Sequence, residues 1–142
     1  MKFWDSSAIV PLLVDESASE IMRELLKADS EMVVWWASRT ECLSALHRRM
    51  REGNIKAAEE TQVQNILSVL SGAWAEVLPT DFVRQRAERL LSVHALRAAD
   101  AFQLAAALVW SKEATAGLEF VCFDDNLCEA ASKEGFLVVP RT

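Results

Sequence analysis

Four acidic residues, Asp5, Glu41, Asp100 and Asp124, each adjoin an apolar stretch of the chain. Asp5 follows Phe3-Trp4, and Glu41 opens a helical segment after Met32-Val33-Val34-Trp35-Trp36. Asp124 follows Phe120-Val121-Cys122-Phe123, and Asp100 interrupts Ala98 to Val109, a run otherwise apolar apart from Gln103. If the chain folds as an α/β domain, these acids converge at one edge of its sheet. Carboxylates that share a pocket repel one another unless protons or cations neutralise them. The cation that suits an all-oxygen donor set is hard and divalent, Mg²⁺ or Mn²⁺.

Each acid also has an ordinary structural explanation. Asp5 and Asp124 precede helical segments and suit an N-cap, with Asp125 a competing cap beside Asp124. Ser38-Arg39-Thr40-Glu41 has the spacing of a capping box, as do Ser17 and Glu20. Asp100 could pair with Arg97 three residues earlier. Asp is a poor helix former, however, and such a pair leaves unexplained a charge inside so apolar a helix. The joint pattern carries more weight than any single member.

Other chemistries find less support. His47 and His94 are the only histidines, and metal-free RNA cleavage by an acid–base pair needs both to meet. There is no glycine-rich phosphate loop and no GxSxG elbow. The tryptophans at 4, 35, 36, 74 and 110 suit a core or an interface, and any exposed one could stack on a base.

The elements that must position these acids are legible from pattern. At 142 residues and 51% hydrophobic, the chain suits one folded domain over residues 1–142. Only 4 Gly and 3 Pro predict long regular elements. Short apolar runs predict strands at Lys2–Trp4, Met32–Trp36, Glu76–Leu78, Phe120–Phe123 and Leu137–Val139. Amphipathic or apolar periodicity predicts helices at Ala8–Leu13, Ser17–Ala28 (Ile21, Leu25 and Ala28 inward), Ser38–Glu52, Lys56–Leu70, Asp81–Ser92, Arg97–Trp110 and Asp125–Lys133. Strands separated by helices imply right-handed crossovers, hence a three-layer α/β/α fold with a central, mostly parallel sheet. Sites in such folds form beyond the carboxyl ends of the strands, near a topological switch point.

Charge and cysteine content set further bounds. A net charge of −6 speaks neither for nor against a nucleic-acid partner, because the bases cluster. Arg39, His47, Arg48, Arg49 and Arg51 share one predicted helix, and Arg84, Arg86, Arg89 and Arg97 lie together further on. Cys42, Cys122 and Cys128 lack zinc-type spacing and are expected to be reduced. Without an apolar run of about 20 residues, and with an acid too early for a signal peptide, the expectation is a cytoplasmic protein that does not enter a membrane.

Four segments in order resemble the PIN-domain family. They are Phe3-Trp4-Asp5-Ser6-Ser7-Ala8-Ile9-Val10, Ser38-Arg39-Thr40-Glu41-Cys42-Leu43-Ser44-Ala45-Leu46, Leu96-Arg97-Ala98-Ala99-Asp100-Ala101-Phe102-Gln103-Leu104-Ala105 and Phe120-Val121-Cys122-Phe123-Asp124-Asp125-Asn126-Leu127. The short length is most similar to the VapC-type toxins of toxin–antitoxin pairs. The resemblance implies a metal-dependent endoribonuclease acting on structured RNA, a homodimer, and inhibition by an antitoxin. It maps the family's acids onto Asp5, Glu41, Asp100 and Asp124, and a hydroxyl position onto Ser6 or Ser7. The expected roles are Asp5, Asp100 and Asp124 as Mg²⁺ or Mn²⁺ ligands, Glu41 as a ligand or an orienter of water, and Ser6 as a positioner of ligand or phosphate. Cys122 departs from the Thr or Ser common in the family, and Gln103 from its common His. The alternatives are an Asp- and Mg-dependent phosphotransfer protein of receiver or haloacid-dehalogenase type, centred for a receiver on Pro79-Thr80-Asp81 with Lys133, and a non-catalytic α/β interaction domain.

Overall fold

A computed structural model describes residues 1–141. The strands are β1 Lys2–Trp4, β2 Met32–Trp35, β3 Ala75–Val77, β4 Glu119–Val121 and β5 Leu137–Val139. The helices are α1 Ser6–Leu13, α2 Ser19–Ala28, α3 Ser38–Arg51, α4 Ala57–Ala73, α5 Asp81–Val93, α6 Ala98–Trp110 and α7 Asp125–Lys133. The strands form one parallel sheet in the order β3-β2-β1-β4-β5. Register is set by pairs such as Phe3 with Val33 and Phe120, and Trp4 with Val121.

Alternation of side chains along each strand divides the core in two. Phe3, Val33, Trp35 and Phe120 pack with α5, α6 and α7 on one face. Trp4, Met32, Val34 and Val121 pack with α1 to α4 on the other. This is the three-layer arrangement expected from the sequence. Winding from β1 through β2 to β3 puts its helices on one face, and the return to β4 and β5 puts the rest on the opposite face. Right-handed crossovers require that division when the direction of winding reverses.

Local departures have local causes. The Ser17–Glu20 capping box does not form: α2 begins at Ser19 with Ala18 at the cap position. The Ser19 hydroxyl accepts from the Glu16 N–H at 2.9 Å and donates to the Val14 carbonyl at 3.0 Å, which fixes the start. Met22 is then the buried apolar residue of α2, whereas Ile21 faces solvent. β2 stops one residue early, with Trp36 53% exposed, and β3 lies at Ala75–Val77, leaving Leu78 exposed. α4 runs on to Ala73. β4 ends at Val121 because the Phe123 N–H donates to Ser7 Oγ at 3.0 Å instead of continuing the ladder.

Candidate active site

The strand order reverses beside β1, which has β2 on one side and β4 on the other. Chains leaving β1 and β4 diverge to opposite helix layers and open a crevice at the carboxyl edge. Asp5 is the N-cap of α1 and Asp124 the N-cap of α7, while Glu41 and Asp100 lie in the first turns of α3 and α6. These acids, with Ser6 and Ser7, line one cavity of about 350 Å³. The helices that carry the acids therefore turn their N-termini toward this edge, and the partial positive charge of those ends favours carboxylates there.

The caps and the cavity use different oxygens. Asp5 Oδ2 accepts from the Ser7 amide at 3.2 Å and the Ser7 hydroxyl at 2.5 Å. Asp124 Oδ1 accepts from the Leu127 N–H at 2.9 Å. Asp5 Oδ1 and Asp124 Oδ2 accept no hydrogen bond among the described residues. Asp124, not Asp125, is the cap of α7. Capping and ligation are thus compatible at both positions.

Glu41 takes no part in a capping box. Ala37 holds the cap position of α3 without a side-chain bond, and Ser38 lies buried inside the helix. Glu41 Oε1 instead accepts from Ser6 Oγ and from Gln103 Nε2, each at 2.8 Å. Gln103 is buried and also donates to Ser38 Oγ at 3.0 Å, so its amide spans from α6 to α3. Asp100 makes no ion pair with Arg97 among the described residues; Arg97 acts on it only through its field.

Burial and crowding both act on the acids. Desolvation is the main cause that lifts the Asp5 carboxyl from 3.8 to about 6; the Ser7 bonds oppose it, and the charges of Glu41 and Asp100 add to it. Asp100 is also raised, first by desolvation, then by Asp124 and Glu41, with Arg97 opposing. Two nearby cysteines, Cys42 and Cys122, are raised. Cys42 is pushed up to about 12, chiefly by burial. Cys122, whose sulfur lies 3.7 Å from Asp5 Oδ2, is raised by its contact with Cys128, by burial and by the Asp5 charge.

Among the described residues, no three acidic, histidine or cysteine side chains stand close enough to enclose an ion. The donor chemistry still fits a hard divalent cation. The groups facing the cavity are carboxylates with spare oxygens, and the Cys42 and Cys122 sulfurs are held protonated. Closing on an ion needs side-chain adjustment around a site whose backbone is already convergent.

The histidines do not share this cavity. His94 bonds Glu134 at 2.6 Å, and exposed His47 lines a small cavity with Met50, Ile55 and Val63. The receiver alternative also fails on geometry. Asp81 follows the edge strand β3 and pairs with Arg84 at 2.7 Å on the surface, and Lys133 pairs with Glu129 at 3.0 Å. Sequence reasoning placed Arg48 and Arg49 in a basic cluster on one helix but not beside the acids, whose cavity they line. Their signal was present: seven and eight residues after Glu41, they recur on its face of the helix. The donor role of Gln103 was not legible, because it depends on α6 meeting α3.

No curated protein matches the chain. A model of the PIN domain family matches residues 2–133. The matched stretch carries every strand but β5, all the helices and the acids around the cavity, and the chain belongs to the PIN domain family, whose members are in general metal-dependent nucleases.

Proposed function

We propose that residues 1–142 form a single metal-dependent endoribonuclease domain, the toxin of a type II toxin–antitoxin pair, working in the cytoplasm. The observation that carries the nuclease reading is the cavity at the switch point, lined by Asp5, Ser6, Glu41, Asp100 and Asp124 from four separate elements. Asp5, Asp100 and Asp124, with Glu41, would hold Mg²⁺ or Mn²⁺. Such an ion supplies a water of lowered pKa and positive charge to offset that developing on the phosphate oxygens.

The remaining steps belong to the chain. Asp5 gives up the proton that burial favours before it can ligate. Gln103 and Ser6 fix one oxygen of Glu41 and leave the other for a water or ligand. The Ser6 hydroxyl, at the mouth of α1, can turn toward a phosphate oxygen. In-line attack on the phosphodiester leaves a 5′-phosphate and a 3′-hydroxyl. The toxin role, the homodimer and the antitoxin rest on family resemblance. Exposed Trp36, Leu78, Phe82 and Val93 offer apolar surface for such partner chains.

The test is cleavage of RNA by wild type, Asp5→Asn and a His47→Ala/His94→Ala double variant, with Mn²⁺ or EDTA. The expected result is cleavage that needs metal and Asp5 and survives loss of both histidines. Cleavage that persists in EDTA and in Asp5→Asn but dies in the double variant would overturn the reading.

A further inference from the structure

A second cavity, about 630 Å³, shares Asp100 and Asp124 with the acid cavity and extends past Leu91, His94, Arg97 and Asn126. The two cavities lie over different layers. The acid cavity runs along α3, whose Cys42 and Leu46 pack with α1 and α4; the second lies at α5, α6 and α7. The two cavities therefore adjoin at Asp100 and Asp124 and together form a trough across the carboxyl edge of the sheet.

One unpaired arginine stands in each half of the trough. Three arginines line the two cavities, and one of them, Arg49, is engaged, with Glu16 at 3.0 Å. Arg48 in the acid cavity and Arg97 in the second have no carboxylate within ion-pair distance among the described residues, and both are exposed. An unpaired guanidinium beside a cluster of carboxylates, yet not joined to it, is free to take an anion from outside. The spacings differ. Arg97 is three residues from Asp100, one helical turn, whereas Arg48 is seven residues from Glu41, about 10 Å along the axis.

We propose that this trough is the path of a single RNA strand, gripped by Arg97 at a phosphate on one side of the scissile bond and by Arg48 at a more distant phosphate on the other. The inference deepens the nuclease reading and rests on it. Two placed cations in a concave site that extends past α3 on one side and α5 on the other suit a single, bendable strand whose backbone can follow the crevice. Arg97 and Arg48 are positioning residues: each holds a phosphate that does not react.

The experiment compares wild type, Arg97→Ala, Arg48→Ala, the two Arg→Lys variants and Arg51→Ala, an α3 control that lines neither cavity. The substrate is a fluorescent single-stranded oligoribonucleotide, alone and annealed to its complement. Cleavage in Mn²⁺ gives KM and kcat; anisotropy without added metal, across a salt series, gives binding. Each Arg→Ala variant is expected to raise KM about tenfold with kcat little changed. Each should also flatten the logarithmic salt dependence by about 0.7, the value for one single-strand phosphate contact. The Lys variants should restore most of both, Arg51→Ala should match wild type, and the annealed duplex should be a poor substrate. Wild-type cleavage with KM and salt dependence unmoved in both Arg→Ala variants, or equal cleavage of duplex and single strand, overturns the path and leaves the nuclease standing. Binding that weakens in both variants without any wild-type cleavage keeps the path and overturns the nuclease. Wild type that neither binds nor cleaves overturns both.

Discussion

At the scale of single residues, Asp5 concentrates the conflict in this site. Its carboxyl is buried beside two other acids and titrates at about 6, against an ordinary 3.8. Folding therefore favours its protonated form. At about pH 3 and below, the acid is protonated in the folded and unfolded chains alike, and nothing is lost. As pH rises toward about 6 the unfolded chain releases the proton first, and the metal-free fold loses about 3 kcal/mol by pH 7. Asp5→Asn should thus raise stability at pH 7 by an amount of that order, with no gain near about pH 3, because Asn still caps α1. Urea unfolding at the two pH values without metal checks this, and equal gains at both would refute it. Gln103 poses the complementary case. Its amide donates to Glu41 without titrating, so the hold on Glu41 does not vary with pH. Gln103→Glu would set a second buried carboxyl against Glu41. Its melting temperature should fall at pH 7 and recover near pH 5 by more than the gain that Asp5 gives wild type over the same range.

At the scale of elements, one residue can serve helix and site at once, and substitution can separate the two. Asp124 caps α7 through Oδ1, has no hydrogen bond to its other oxygen among the described residues, and lines the cavity. Asp124→Asn keeps a good cap and removes the charge; Asp124→Ala removes both, at about 1 kcal/mol for the cap. Both variants should lose metal-dependent cleavage, and only the Ala variant should lower the melting temperature. A destabilised Asn variant would show that the charge, not the cap, matters to α7. The same duality explains what the sequence could and could not reveal. Lys2–Trp4, Asp125–Lys133 and Leu137–Val139 were legible to the residue, because Asp5, Gly135 and Pro140 give clear stops. The start of α2 was not, because a serine inside the helix, rather than one before it, makes the fixing bonds to Val14 and Glu16. The end of β4 was not, because Ser7, more than a hundred residues away, takes the Phe123 amide. The acids were legible as residues beside strands and helix starts. The Gln103 bond across them needed the meeting of α6 with α3 that only the folded chain supplies, whereas Arg48 and Arg97 follow Glu41 and precede Asp100 at helical spacings the sequence already carries.

At the scale of the whole molecule, the fold gathers negative charge at one edge of a chain that is already acidic. The helix N-termini offset part of that charge but leave Asp5 and Asp100 raised. A divalent cation that binds only the folded state should therefore stabilise the entire domain. At a concentration one hundred times its dissociation constant the gain is about 2.7 kcal/mol, worth several degrees in melting temperature for a chain of this size. Two causes of such a gain can be told apart. General screening of the net charge of −6 would act through any surface acid. Ligation acts only through acids that face the cavity. Asp125 is exposed and adjoins Asp124 but lines a different cavity with Phe123 and Cys128, so Asp125→Asn removes the same charge from almost the same place. Mn²⁺ titrations followed by thermal melting should give concentration-dependent stabilisation in wild type and Asp125→Asn, and little in Asp5→Asn or Asp100→Asn. Equal stabilisation in all four proteins would mean that the cation merely screens the surface, and the carboxylate edge would lose its standing as a metal site.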